Sequence, residues 1–226
     1  PRLAKAVAIA SGKGGVGKSN IAANLAAALS EENRRVVLFD ADMGCANADL
    51  LCGLSPKATL EDVLRGRCRL ADVMLRGPGG FRLIPGASGV AHLASLNHAQ
   101  RAAIFAQLSA LDRVVDLMLI DLGAGLGSDT IAFASAADTV LIVCTPEPTS
   151  ITDAYGAIKA ITRAAPETDL RLVVNMVAND AEGTAVHRRI QRVAHEHLGV
   201  DVALAGSVPF DFAVRKAVKK RQLVLA

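Results

Sequence analysis

The stretch SGKGGVGKSN, residues 11–20, decides the fold of this chain. Within it, Gly12–Ser19 matches the pattern G-x-x-x-x-G-K-[ST] and lies between a predicted strand and a predicted helix. Glycines let such a loop turn several backbone N–H groups toward one phosphate, and the helix N-terminus adds a positive dipole. We therefore predict a nucleotide-binding loop in which Lys18 neutralises β- and γ-phosphate oxygens and the Ser19 hydroxyl ligates Mg²⁺. A second lysine, Lys13, has no role in that generic scheme.

Three aspartates at the ends of predicted strands complete the candidate site. The run Leu117–Asp121 (LMLID) is apolar and ends in an acid, the Walker B pattern, so Asp121 is expected to hold Mg²⁺ through water. Asp40 and Asp42 are two residues apart in VVLFDAD, so both side chains can point the same way. One of them would contact magnesium-bound water while the other orients the attacking water. The alternative that both acids only cap the turn stays open.

Apolar β-type runs alternate with helical stretches along the chain, as in a mostly parallel sheet covered by helices on both faces. The predicted strands are Ala6–Ala10, Val36–Asp40, Phe81–Ile84, Leu117–Asp121, Val140–Thr145, Arg171–Val177 and Ala203–Val208. The predicted helices are Lys18–Glu32, a short one opened by Thr59, Asn97–Leu111, Ser128–Ser135, Ser150–Ala164, Ala181–Leu198 and Asp211–Leu223. Because no linker or repeat divides residues 1–226, we predict a single-domain α/β P-loop NTPase.

Composition argues against several other classes of protein. No apolar run approaches the roughly 20 residues that span a bilayer, and the opening VAIA is too short for a secretory signal, so we expect a cytoplasmic protein. The four cysteines form no C-x-x-C pair, which argues against zinc and disulfides. His195 and His197 point to different faces of a predicted helix and are not expected to bind metal. The chain starts at Pro1 without methionine, and we expect its native termini to be missing.

With the early lysine, KGGVGKS resembles the deviant Walker A motif of the MinD/ParA class of P-loop ATPases. The segments DADMGCANADLLCGL (40–54) and TPEPTSITDAY (145–155) resemble the FlhG/FleN subfamily, MinD-like ATPases that control flagellar number and placement. The likeness continues through NMV (175–177) and VPFDFAVRKAV (208–218), so it covers nearly the whole chain.

The resemblance implies a role for the early lysine. In that class it reaches across a nucleotide-sandwich dimer to the phosphates bound by the partner subunit, so Lys13 is expected to act between subunits and Lys18 within one. Asp42 matches the class's water-activating aspartate and Asp40 its magnesium-side acid. Asp153 matches an acid that pairs with the early lysine when nucleotide is absent, although a simple helix-face acid fits its position equally.

The resemblance also marks the residues expected to contact ATP or ADP. LGAG follows Asp121 where many relatives have T-P-A-G or T-A-A-G, so a hydroxyl contact is lost at Leu122. The expected nucleotide contacts are the loop residues Gly14, Gly15, Val16, Gly17, Lys18, Ser19 and Asn20, the N–H of Gly125, the adenine-reading Asn175, and Pro209, Phe210 and Asp211 around the base.

A slow, Mg²⁺-dependent ATPase that forms a homodimer with ATP is the function that the resemblance implies. Its expected output is control of flagellar number and placement by restraint of the flagellar master transcription activator, with flagellar assembly proteins as further partners. The inner membrane is an expected partner through a C-terminal helix beyond Ala226, which would place the protein at the inner face of the membrane. No sequence-specific nucleic-acid binding is expected.

Several other functions stay open on the same fold. One is a ParA-type partition or MinD-type cell-division ATPase, and a DNA-binding dimer of that kind would show a steep salt dependence. A P-loop metabolic enzyme is another, although its substrate-binding residues cannot be identified. An iron–sulfur carrier would need cysteines paired at a dimer axis, and Cys45, Cys52, Cys68 and Cys144 show no such arrangement.

The last segment, DFAVRKAVKKRQLVLA, interleaves apolar and basic residues. A basic amphipathic helix of this kind can lie on anionic lipid. A final helix packed on the sheet gives the same pattern, and the imperfect spacing favours this second interpretation.

Overall fold

The computed structural model describes residues 4–87 and 96–225, which form eight strands and eight α-helices. The strands are β1 (Lys5–Ala10), β2 (Val36–Ala41), β3 (Leu75–Arg76), β4 (Arg82–Ile84), β5 (Leu117–Leu122), β6 (Thr139–Cys144), β7 (Asp169–Val177) and β8 (Ala203–Pro209). The helices are α1 (Lys18–Glu31), α2 (Ala48–Leu51), α3 (Leu60–Leu64), α4 (His98–Ser109), α5 (Ser128–Ser135), α6 (Pro148–Ala164), α7 (Asp180–Leu198) and α8 (Phe212–Lys219).

The strands belong to one sheet with the order β3-β4-β2-β5-β1-β6-β7-β8. The pairs β1–β6, β2–β4, β2–β5, β6–β7 and β7–β8 are parallel, and β3–β4 is antiparallel. This confirms the predicted α/β class with a mostly parallel sheet. Carboxyl ends of parallel strands meet at one edge, where open α/β sheets place their ligands.

The chain divides into two compact units, the first of which contains residues 4–6, 19–87, 96–123 and 213–225. Its core is built on β2, all six residues of which are buried, as expected for a parallel strand covered on both faces. Phe39 and Phe81 are wholly buried in this core. In the β2–β5 register Asp40 is the partner of Asp121, so the two acids lie side by side near the end of this strand pair.

The second unit contains residues 7–18 and 124–212. Its core includes Phe133 of α5, Ile158 of α6 and Leu172 of β7, each with no exposed surface. Helix α7 begins after Asn179, whose side chain accepts the Glu182 N–H, and ends at Gly199 in the left-handed conformation.

The structure differs from the sequence prediction mainly at short elements and at the C-terminal end. Strand β3 and helix α2 were not predicted, since two- and four-residue elements carry no periodic signal. Helix α8 was predicted to reach Leu223, but it ends at Lys219, and Arg221 is left-handed (φ 53°).

The predicted C-terminal helix was expected to pack on the sheet and so to bury its apolar residues. Instead, α8 has no buried residue. The buried apolar side chain of this segment is Leu223, which follows the helix and is 3% exposed. The N–H groups of Val224 and Leu225 donate to Asn24 Oδ1 on α1 at 3.0 and 3.2 Å, which ties down this end of the chain. No helix in the described part of the chain is long and apolar enough to cross a membrane.

Candidate functional site

The predicted phosphate loop connects β1 to α1 and is tightly curled. Gly15 and Gly17 have φ values of 82° and 89°, a conformation that L side chains rarely adopt. A side chain at Gly17 would also collide with the amide of Asn175. Apart from its chain neighbours, no atom of residues 4–87 and 96–225 lies within 4 Å of where a Cβ at Gly15 would be, so this side of the loop is open to a ligand. The open, glycine-lined curl is the shape that a phosphate group requires.

Close packing against α6 fixes the start of the same loop. A Cβ at Gly12 would overlap the backbone carbonyl of Asp153. Position 12 therefore accepts only glycine, and the backbone of the loop lies directly on α6. Lys18, at the opposite end of the loop, is 7% exposed although it is charged. A buried ammonium at the N-terminus of α1 suits neutralisation of a phosphate.

Lys13 lies beside the first turn of α6. Its Nζ contacts Glu147 Oε2 at 3.0 Å and the Thr149 hydroxyl at 3.2 Å. The predicted pairing with Asp153 is therefore wrong, because the structure gives the lysine two partners at the start of the helix instead. Sequence reasoning missed Glu147 and Thr149, which stand in the quoted TPEPTSITDAY segment but lie more than 130 residues from Lys13.

Asn175, the predicted adenine reader, contacts the phosphate loop. It is 8% exposed, and its Nδ2 donates to the carbonyl of Val16 at 2.7 Å. The N–H of Phe210 donates to the carbonyl of Val177 at 2.9 Å, and Pro209 is the register partner of Val177. Asn175 and two of the predicted base-packing residues thus lie together at the ends of β7 and β8, and the third of those residues, Asp211, follows them as an exposed side chain.

Gly125 was predicted to present its N–H to the γ-phosphate. In the structure that N–H donates to the carbonyl of Ser11 at 3.0 Å. The interaction holds the segment after β5 against the start of the phosphate loop. A phosphate contact from Gly125 would require this hydrogen bond to break.

Two buried carboxylates lie side by side in the first unit. Asp40 and Asp121 are each 1% exposed and are partners in the β2–β5 register. Burial, followed by the negative charge of Asp121, raises the pKa of Asp40 to about 7. Two ionised acids in this arrangement repel one another, and a proton on either acid or a bound cation lowers that repulsion.

Asp40 and Asp42 organise the turn after β2. Asp40 Oδ2 accepts the N–H groups of Asn47 and Ala48 at 2.9 Å each, and its Oδ1 accepts the N–H of Asp42 at 3.2 Å. Asp42 Oδ1 accepts the N–H groups of Gly44 and Cys45 at 3.1 and 2.9 Å. Turn capping, the structural alternative left open by the sequence, is thus present in both acids. Asp42 Oδ2 makes no hydrogen bond within the described chain, so it can still receive a water proton.

The donor set of the first unit suits Mg²⁺. Asp40, Asp121 and Ser19 all supply hard oxygen atoms, which this ion prefers. Among residues 4–87 and 96–225 no group of three or more His, Cys, Asp or Glu is arranged to hold a metal. That finding agrees with Mg²⁺, which is normally held by one or two carboxylates together with phosphates and waters. All four cysteines are free thiols.

Comparisons with known proteins identify the relatives of this arrangement. The model of the CobQ/CobB/MinD/ParA nucleotide-binding domain matches residues 7–224. The chain is 44% identical to the antiactivator FleN of Pseudomonas aeruginosa over 96% of its own length and 78% of the relative's. It is 37% identical to the flagellum site-determining protein YlxH of Helicobacter pylori, over 97% and 74% of the two chains.

A solved structure matches the fold as well. The septum site-determining protein MinD from Pyrococcus horikoshii OT3, complexed with Mg-ADP, superimposes with a TM-score of 0.81 and 25% identity. The match covers 98% of this chain and 88% of the other.

Proposed function

The chain belongs to the CobQ/CobB/MinD/ParA family of nucleotide-binding proteins, in its FlhG/FleN group, and from this premise we propose that it is a dimerisation switch controlled by ATP. The chain is an ATPase that uses ATP and Mg²⁺. Its output, in this proposal, is the number and placement of flagella. The names of two relatives, an antiactivator and a flagellum site-determining protein, support that output.

The position of Lys13 is the observation that carries the proposal. Its side chain is 40% exposed and is held by Glu147 and Thr149 on α6. A phosphate-loop lysine held only by an exposed ion pair can leave that pair at small cost and reach the phosphates of a second subunit. Once there, it makes both pairing and hydrolysis depend on ATP, by the logic of an arginine finger supplied in trans.

Each remaining site residue has one role in the proposed hydrolysis. Lys18 neutralises the β- and γ-phosphate oxygens, while Ser19, Asp40 and Asp121 hold Mg²⁺, which offsets the charge of the phosphates. Asp42 orients the attacking water. The backbone of the loop from Gly14 to Asn20 binds the phosphates, and Asn175 with the 209–211 segment binds adenine.

Catalysis in this scheme consists of positioning and charge neutralisation, without a covalent intermediate. Turnover is slow because a complete set of charges exists only in the dimer. Hydrolysis of ATP separates the subunits and ends the action of the dimer on its partner protein.

A pull-down with the flagellar master transcription activator tests the proposed output. The bait is the Asp42→Ala protein with ATP and Mg²⁺, which is expected to remain dimeric because it cannot activate water. Lys13→Ala with the same nucleotide is the matched control, since it should bind ATP without pairing. We expect the activator on the Asp42→Ala bait alone. Equal capture by both baits would contradict control by dimerisation.

A further inference from the structure

One residue of β7 has an unusual backbone conformation. In the pairing of β7 with β8, Asn175 is opposite Val208 and Val177 is opposite Pro209, so Met176 is an extra residue on its strand. This is a β-bulge, and Met176 has a φ of 60°. Bulges of this kind re-aim a side chain and are frequent next to active sites.

The other residues with this conformation have ordinary explanations. Among residues 4–87 and 96–225, the only other non-glycine residues with positive φ are Asn33 and Arg221. Both lie just after a helix, α1 and α8, where a left-handed residue commonly ends the helical turn. Met176 is inside a strand, so its conformation ends no helix and carries an energetic cost.

The bulge turns an apolar side chain outward above the phosphate loop. Met176 is 40% exposed, although methionine is normally among the buried residues. Its terminal methyl lies 3.7 Å from where a Cβ of Gly17 would be. Asn175, its neighbour, approaches the same glycine and donates to Val16.

Exposed apolar side chains lie on the neighbouring strand end, at β8 and just after it. Val208 is 37% exposed and Phe210 49%, and the Phe210 N–H bonds to Val177, the residue directly after Met176. The Phe210 ring is in edge-to-face contact with Phe212, with 5.1 Å between centroids. A flat heteroaromatic ring would find apolar contact here beside the amide of Asn175.

We infer that Met176 is a base-contacting residue whose thioether forms an apolar wall of the nucleotide site. This inference rests on the nucleotide-binding role of the loop proposed above. A polarisable sulfur adapts to the face or edge of an aromatic ring and attracts it. Glycine would adopt this positive φ without an energetic cost. The methionine bears that cost, and what it adds at this position is its side chain.

The experiment compares two ligands that differ in whether they carry a base. Affinities for ADP and for tripolyphosphate, both with Mg²⁺, are measured by calorimetry for the wild type and for Met176→Ala, Met176→Gly and Met176→Leu. Arg221→Gly is the matched control, because it relieves the same backbone conformation far along the sequence. Thermal unfolding of every variant without ligand reports whether the fold is intact.

ADP binding should weaken by roughly two- to tenfold in the Ala and Gly variants, the range of a lost sulfur–aromatic contact. Tripolyphosphate affinity should stay unchanged, Met176→Leu should retain most of the ADP affinity, and Arg221→Gly should match the wild type for both ligands. Met176→Gly should unfold at the same temperature as the wild type or higher.

Two results would overturn the inference. Wild-type ADP affinity in the Ala and Gly variants would show that the base does not touch Met176. An equal loss of ADP and tripolyphosphate would show that Met176 acts only through the loop at Gly17. If the wild type bound neither ligand, the proposed nucleotide role itself would be wrong, and the inference would fail with it.

Discussion

The contact of Lys13 with α6 predicts that removing its partner strengthens dimerisation. In the proposed switch, Lys13 must leave Glu147 before it reaches a second subunit, so the ion pair opposes pairing. Glu147→Gln removes the negative charge and keeps the shape of the side chain. Glu147 precedes α6 and makes no side-chain capping bond, so the substitution leaves the helix start intact.

The magnitude follows from the exposure of the pair. The two atoms are 3.0 Å apart, but the side chains are 40% and 65% exposed, so water and salt screen the attraction. Such a pair contributes about 0.2–1 kcal/mol. A dimer breaks two of them, one in each subunit, which gives about 0.4–2 kcal/mol and a roughly 2- to 30-fold tighter dimer.

Sedimentation equilibrium with Mg²⁺ and a non-hydrolysable ATP analogue measures this change. Glu167→Gln is the matched control, because it makes the same change in charge at an exposed acid that has no ion pair in the described chain. The difference between the two variants should shrink at high salt. If Glu147→Gln dimerised no more tightly than Glu167→Gln, the contact would not restrain Lys13 and the reasoning would be refuted.

Two further predictions concern the loop and the acids. Gly12→Ala should lower the free energy of unfolding by about 2–3 kcal/mol, because its Cβ overlaps the carbonyl of Asp153. Gly156→Ala, at a helical glycine with open space around it, should raise that free energy by about 0.5–1 kcal/mol. Chemical denaturation measures both changes, and equal midpoints for the two variants would contradict the close packing of Gly12 against Asp153. The pKa of Asp40 is raised from 3.8 to about 7, so the metal-free protein loses stability as the pH rises between these values, and stabilisation by Mg²⁺ should grow over the same range. Thermal unfolding with and without Mg²⁺ checks this, and the gain should disappear in Asp121→Asn; a gain independent of pH in the wild type would contradict it.

The sequence predicted the parts of the molecule that depend on neighbours in the chain. The phosphate loop is specified by its own spacing, and the buried strands β2 and β5 are apolar runs with an acid as the last residue but one. For the same reason, Asp40 and Asp121 could each be placed at a strand end, although only the structure shows that the two strands are neighbours. The family resemblance supplied the role proposed for Lys13.

Features that depend on distant residues could not be predicted in the same way. The partner of Lys13 is more than 130 residues away, and the position suggested by resemblance, Asp153, proved wrong. The bulge at Met176 arises from the register of β7 against β8, and NMV contains no glycine or proline that would mark it. Likewise, the pattern of apolar and basic residues does not mark the end of α8 at Lys219 or the burial of Leu223 beyond it.

The mass of the protein in solution tests the proposed switch most directly. Light scattering with Mg²⁺ and either ADP or ATP should be applied to the wild type, Lys13→Ala and Asp42→Ala. If the proposed switch is correct, the wild type pairs with ATP and not with ADP, Asp42→Ala stays paired with ATP, and Lys13→Ala remains monomeric with both. A wild-type mass that does not change with nucleotide, or a Lys13→Ala protein that pairs like the wild type, would contradict it.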